Sequence, residues 1–481
     1  MADRTGSGAG VAAGTPPARD DPGLAGAGTR MGAGRRPRRA VFPPSVRADG
    51  GRAQHAGGAA PEVAVRRSAR HSSEALHING VAVTFNSGSV SRSAGVSPWF
   101  VAFGVLVALA IGAPVRAAVA QVAAYYDGGI PVTDIPAADL NAIIYSLDES
   151  LAGDVCDRPG VAQLQDLRAL RRLRRRHPGL ELLVSIGGWD AAPQFSDIAL
   201  TATSRARFAR SCIRLFIEQQ RFNGIDLDWE FPVRGGLIPA RPEDRADATA
   251  LVREVREQLN ALGRRTHQRY LLTVATPAGT WQEGGAYSVS DSYDLAALVP
   301  YVSWLNVMTY DMNTIFSPYS GFNTPMKPDP RDPTPQPQRS WDNLTGAVRY
   351  YEAHGVPADK IMLGMAFYGR GFTGVSARYE GRYSKFTGIM AEMPWKTIAS
   401  RMLTDPHWVR YWSATAEAPW LYDARRHAFF TYDDPQSLAL KGAFVRRARL
   451  RGAMIWVLGE DDARNSLLHG LLSGLRPRAP R

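Results

Sequence analysis

The sequence predicts an α/β fold, a (β/α)₈ TIM barrel with a small α+β insertion between its seventh and eighth strands. Three observations carry that prediction. From residue 121 onward, short apolar, β-branched or aromatic runs alternate with helical patterns, eight runs in all. One of these runs places three carboxylic acids at alternate positions. The connection before the last run is about 80 residues long and rich in aromatics, large enough for a subdomain of its own.

The candidate strands, in order, are Val122–Tyr126, Ala142–Leu147, Leu180–Gly188, Gly224–Phe231, Tyr270–Pro277, Val302–Asp311, Lys360–Arg370 and Gly452–Leu458. Between them, Leu164, Leu167, Leu170 and Leu173 recur at helical spacing. So do Val252, Val255 and Leu259, behind the acidic start Glu243-Asp244. Eight parallel strands with intervening helices close on themselves, and barrel chemistry gathers at the C-terminal ends of the strands. The insertion, about 373–430, would form a wall beside that end. Its aromatics Tyr379, Tyr383, Trp395, Trp408, Trp412 and Trp420, with Trp281 upstream, line further subsites or simply pack.

The 481 residues are 45% hydrophobic and 21% charged, a globular average that hides a split. Residues 1–98 hold 13 Arg against 6 acids, a net of +7 out of the total +12. Their Gly, Ala, Arg, Ser and Pro content buries too little surface to offset ordering, so a disordered extension is expected. The run Arg35-Arg36-Pro37-Arg38-Arg39 has no aromatics around it and reads as a solvated tail. On the helix before the third strand, Arg171, Arg172, Arg174, Arg175 and Arg176 read as the solvated outer face of a barrel helix, with nucleic acid as the alternative.

Residues 99–120 read as a signal peptide. Trp99–Ala113 is one apolar run, short for a membrane span, and Ala118-Val119-Ala120 has the pattern of a peptidase site. Cleavage there makes Gln121 the mature N-terminus, in a secreted domain. An uncleaved signal anchor is the alternative. A leader so far from Met1 suggests that translation starts downstream at a non-AUG codon, with Val81, Val83 and Val90 as candidates. The two cysteines fit no metal pattern. Cys212 sits among Phe208, Leu215 and Phe216 and reads as a buried core thiol, the alternative being a bond to Cys156.

The densest chemistry lies in Asn223-Gly224-Ile225-Asp226-Leu227-Asp228-Trp229-Glu230-Phe231-Pro232. On a strand, Asp226, Asp228 and Glu230 share one face, here the barrel interior. Buried carboxyls are costly unless they share protons or have a task. A negative Asp228 opposes ionisation of Glu230 and suits it to general acid work, while Asp226 shares a proton with Asp228. A structural or metal-binding cluster is the competing reading, but no His lies nearby on the strand. The nine histidines show no ligand spacing, no Gly-rich phosphate loop is present, and no metal or organic cofactor is expected.

This segment resembles the Asp-x-x-Asp-x-Asp-x-Glu signature of family 18 glycoside hydrolases. Ser185-Ile186-Gly187-Gly188-Trp189, Met308-Thr309-Tyr310-Asp311, Phe367-Tyr368-Gly369-Arg370-Gly371-Phe372 and Met454-Ile455-Trp456 resemble that family's third-, sixth-, seventh- and eighth-strand motifs. The long insertion before Tyr432-Asp433-Asp434-Pro435 resembles the insertion domain of its deep-cleft chitinases. One position departs: the first Asp of the signature is Asn223, which should face away from the carboxylate row.

The resemblance implies substrate-assisted hydrolysis of chitin or chito-oligosaccharides with retained configuration. It implies that Glu230 protonates the leaving oxygen, that Asp228 turns to the acetamido N–H, and that Tyr310 holds that group for attack. Trp456 would floor the −1 sugar, with Tyr125, Trp189, Met308, Asp311, Tyr368 and Arg370 as further sugar contacts. A monomer without nucleic-acid or membrane partners is expected for the mature domain. The alternatives are an endo-β-N-acetylglucosaminidase on glycans or peptidoglycan, a non-catalytic chitin-binding lectin, and a non-catalytic scaffold.

Overall fold

The computed structural model describes residues 120–476, apart from 148–150, 190–192, 235, 237, 279, 283–285 and 289–291; the side chains of 280–291 are not described. The expected extension 1–98 and residues 99–119 of the expected leader lie outside the described residues, as does the side chain of Trp281.

Eight parallel strands close a barrel in chain order: Gln121–Tyr126, Ala142–Ser146, Glu181–Gly187, Gly224–Asp228, Leu271–Pro277, Trp304–Met308, Ile361–Ala366 and Gly452–Trp456. The last pairs with the first, Gln121 opposite Gly452 through Ala124 opposite Ile455. Alternation along each strand sorts side chains into two cores. In the first strand Val122, Ala124 and Tyr126 join the shell under the helices, while Ala123 and Tyr125 point inside the barrel with Leu183, Trp304, Met362 and Met454. The helix Val161–Arg176 buries Leu167, Leu170 and Leu173 on that shell. The helix Asp244–Thr266 buries Val252, Val255 and Leu259 in the same way. The first connection departs from the pattern, its only described helix being a 3₁₀ turn at Val132–Asp134.

Several expected strands end early, the sixth at Met308 and the eighth at Trp456 among them, and two of these endings shape the site. The fourth stops at Asp228, so Glu230 lies two residues beyond its end and not on the strand. The expected run Lys360–Arg370 is two strands. At Phe367 the N–H bonds the Trp456 carbonyl and the carbonyl accepts from Trp395 N–H, which turns the chain out of the barrel ladder. Tyr368–Thr373 then enters a five-stranded antiparallel sheet with Gly388–Pro394, Ala428–Thr431, Ala418–Asp423 and Val409–Ser413. This insertion has its own core of Phe372, Trp420, Tyr422 and Phe429, capped by Phe322. Trp420 is thus a packing residue, as is Trp395, which stacks on Tyr432.

The expectation of a free core thiol is corrected, because Cys156 and Cys212 are disulfide-bonded. The hairpin Leu151–Ala152/Val155–Cys156 brings the two together: Cys156 N–H donates to Ser211 Oγ, one residue before Cys212.

Candidate active site

The site grows from the bottom of a carboxylate column. Asp226 is fully buried inside the barrel. Its Oδ2 accepts from Tyr125 Oη and Ser185 Oγ, each at 2.8 Å. Its Oδ1 accepts from Asn306 Nδ2 at 3.0 Å and from Thr273 Oγ1. Four donors from four different strands hold one carboxylate, which is how a buried anion is tolerated. Burial still raises its pKa, and the four hydrogen bonds pull against that rise. Tyr125 keeps its proton, its pKa pushed far upward by burial and then by Asp226 and Asp228.

Asp228 stands one inward position higher. Its pKa is pushed up to about 8, first by burial and then by the charge of Asp226. Its Oδ1 is buried and has no hydrogen-bond partner among the described residues. At neutral pH this group therefore carries a proton, and the charge of the pair rests on Asp226. That division differs from the negative Asp228 that the sequence reading invoked. The backbone beneath is tightly packed: a Cβ on Gly187, whose φ is +113°, would meet the Asp228 carbonyl oxygen at 2.1 Å.

Tyr310 follows the sixth strand. Its pKa is raised well above the ordinary value by burial, then by Asp228, Glu230, Asp311 and Asp226, so one phenol feels all four carboxylates. It remains a proton donor. Its ring meets Tyr368 edge-on at 6.0 Å. Trp456 lies 5.1 Å from Tyr125, ring to ring, and only partly buried. With Met308 it borders the barrel-interior cluster of Tyr125, Tyr310 and Tyr368. Trp189 packs edge-on against Phe231 at 6.4 Å, beside Glu230 in the chain. Trp229 points the other way, into the helix shell, where it stacks on Phe195.

At the lip, Asp311 adopts a left-handed φ of 59°. Its carboxylate accepts from Tyr368 Oη at 2.7 Å and from Arg370 Nε and Nη2 at 2.7 and 2.9 Å. Arg370 also pairs with Glu392 at 3.0 Å. Tyr368 and Arg370 belong to the insertion sheet, so the subdomain braces the barrel's edge. Beyond the eighth strand, Glu460 has its pKa pushed up to about 8 by burial, then by Glu392 and Asp127.

All eleven expected site residues lie at the C-terminal ends of the strands or in the interior just below. The sequence reading missed Thr273, Asn306, Glu392 and Glu460, and it quoted Ser185 without a role. Thr273 and Asn306 had a legible signal, since each is the polar residue on the inward face of its strand. Asn223 does face away from the carboxylates: its Oδ1 accepts from Leu182 N–H at 2.7 Å and ties two strands together. Among the described residues no group of three or more His, Cys, Asp or Glu side chains is arranged to hold a metal ion.

A closed α/β barrel with acids and aromatics crowded at this end is a barrel glycoside hydrolase in class. The chain belongs to the glycosyl hydrolases family 18, whose family model matches residues 121–461. Chitinase A1 of Niallia circulans is 34% identical over 339 residues, which are 68% of this chain and 47% of that protein. Chitinase B of Serratia marcescens is 29% identical over 357 residues, 63% of this chain and 68% of that one. The chain thus spans about half of the first relative. Among solved structures, a family 18 N-acetylglucosaminidase from Paenibacillus barengoltzii superposes with a TM-score of 0.66 at 30% identity, covering 74% of this chain and 99% of that one.

Proposed function

We propose that the chain is a chitinase that cleaves β-1,4 links between N-acetylglucosamine units with retention, by substrate-assisted catalysis. The observation that carries this reading is the stacked acid pair: a proton-bearing Asp228 with an unpartnered oxygen, above an Asp226 held by four donors. An acid free to exchange one partner for another suits a group that must turn from Asp226 to an acetamido N–H as charge develops on the sugar. Glu230, just past the strand end, protonates the glycosidic oxygen. The sugar's own acetamido oxygen then attacks the anomeric carbon, with the Tyr310 hydroxyl fixing its direction. Water opens the resulting ring, Glu230 taking the proton back. Trp456 offers a flat apolar face to the −1 sugar. The relatives named chitinases support this substrate class.

Turnover of chitotriose by the whole chain, beside Glu230→Gln, tests the reading. A loss of at least about a hundredfold in kcat with binding retained is expected for removal of a general acid. An inactive wild type on chitotriose and longer oligomers overturns it. A second reading, N-acetylglucosaminidase, is supported by the Paenibacillus barengoltzii enzyme. Release of single N-acetylglucosamine units from one end, in place of internal cuts, would favour it.

We place the catalytic domain outside the cytoplasm as a secreted protein. The Cys156–Cys212 bond supports this, since such bonds persist in oxidising compartments. No helix among the described residues is long and apolar enough to cross a membrane. Mass spectrometry of the protein from culture supernatant, read for a start at Gln121, checks both secretion and cleavage.

A further inference from the structure

The end of the barrel opposite the carboxylates holds a second concentration of charge. Arg171, Arg174 and Arg175, near the C-terminus of the helix Val161–Arg176, meet Arg221, which precedes the fourth strand. With Pro178 they line a cavity of about 410 Å³. Burial, then the charges of Arg168, Arg175, Arg172 and Arg221, push the Arg171 pKa downward, so these guanidiniums crowd one another. None of the four has a carboxylate at ion-pair distance among the described residues, although Arg174 and Glu181 feel each other's charge, and Arg171 donates only to the Gln220 carbonyl at 3.5 Å. An adjoining cavity of about 350 Å³ shares Arg174 and Arg221 and adds Arg269, but its wall also carries Glu181.

Crowded carboxyls relieve repulsion by taking up protons. Crowded guanidiniums keep theirs at any physiological pH, so only an anion from outside can relieve them. Four planar forks around one hollow suit a tetrahedral group with several outward oxygens better than a planar carboxylate, which offers two. We propose that this arginine-lined hollow is a docking site for a phosphate polymer, one phosphate seated among Arg171, Arg174, Arg175 and Arg221 and its neighbours running along the exposed Arg172 and Arg176. Because it lies at the N-terminal ends of the strands, a docked chain holds the opposite mouth outward.

The test is binding of long-chain inorganic polyphosphate to the whole chain across a range of salt concentrations. Two triple variants of equal charge are compared, Arg171→Gln/Arg175→Gln/Arg221→Gln and, on the insertion, Lys385→Gln/Arg401→Gln/Arg425→Gln. The basic run 35–39 is common to all three proteins. The first triple should weaken binding at least about tenfold and flatten the slope of log K against log salt by about two, at roughly 0.7 per lost phosphate contact. The second should leave the slope within experimental error. Thermal melting confirms that each variant is folded. Equal weakening by both triples reduces the effect to net charge and overturns the proposal. So does a wild type that does not bind polyphosphate, or one that binds polyaspartate of equal charge as tightly.

Discussion

The two ends of the barrel are built from the same eight strands yet are electrical opposites. Where strands end stand Asp127, Glu230, Asp311 and Glu460; where they begin stand Arg221, Arg269, Lys360 and Arg451. Like charges crowd at both ends, but the outcomes differ. At the mouth, burial and then neighbouring carboxylates keep protons on Asp228 and Glu460, which makes acids available near neutral pH. At the base, burial and then neighbouring cations push Lys360 and Arg451 downward, and no change of protonation near neutral pH answers the strain. One end stores protons; the other requires partners. Some bases find theirs within the chain: Arg256 donates to the carbonyls of Tyr301 and Tyr270 and to Ser303 Oγ, whereas Arg175 and Arg221 face solvent.

The sharpest contrast is in turnover. Asp226→Asn should lower kcat on chitotriose at least about a hundredfold, because the column loses its charge, whereas Arg221→Gln should stay within about twofold. Similar losses at both ends would break the division. Stability separates partnered from unpartnered bases: Arg256→Met should cost about 3 kcal/mol by denaturant unfolding, as three charge-assisted bonds vanish, and Arg175→Gln less than about 0.5 kcal/mol. A last contrast lies in the pH dependence of folding. The Asp228 carboxyl sits at about 8 folded against an ordinary value near 3.8 unfolded, so the native state binds the extra proton between them. Its contribution to stability is therefore complete at low pH and drains away as pH climbs to about 8. Asp228→Asn should melt about 3 °C above wild type at pH 8.5, with the gap closing toward pH 4; a gap that does not depend on pH would place the charge elsewhere.

Much of this was legible in the sequence, because period-two alternation and the strand-end rule are local. The pair Asp226 and Asp228 shows its face without any tertiary information, and so does the outward turn of Asn223. What could not be read needed long-range partners. The end of the fourth strand at Asp228 depends on its pairing: the third strand stops opposite it at Gly187, and the ladder to the fifth strand ends one residue earlier, at Leu227 opposite Val274. Tyr368 and Arg370 left the barrel because Phe367 bonds to Trp456 and Trp395, residues far along the chain. The disulfide required a hairpin at 151–156 to lie on a helix that begins about fifty residues later. Glu392 and Glu460 carried no motif, and they matter only because the insertion brings one over the other's strand end.

Beneath the acids, Trp304 donates from its indole Nε1 to Asn306 Oδ1 at 2.9 Å. That bond helps fix which way round an amide lies. With its oxygen engaged by the indole, Asn306 must present its nitrogen upward to Asp226. Arg451 rests over the opposite reach of the same indole, 5.0 Å from ring to guanidinium. A Phe at 304 would free that oxygen and leave the amide held only through its nitrogen, by Asp226 and Tyr125. An indole well below Glu230 thus works as a polarity key: it helps set the sign of the group facing Asp226, from outside the row of acids.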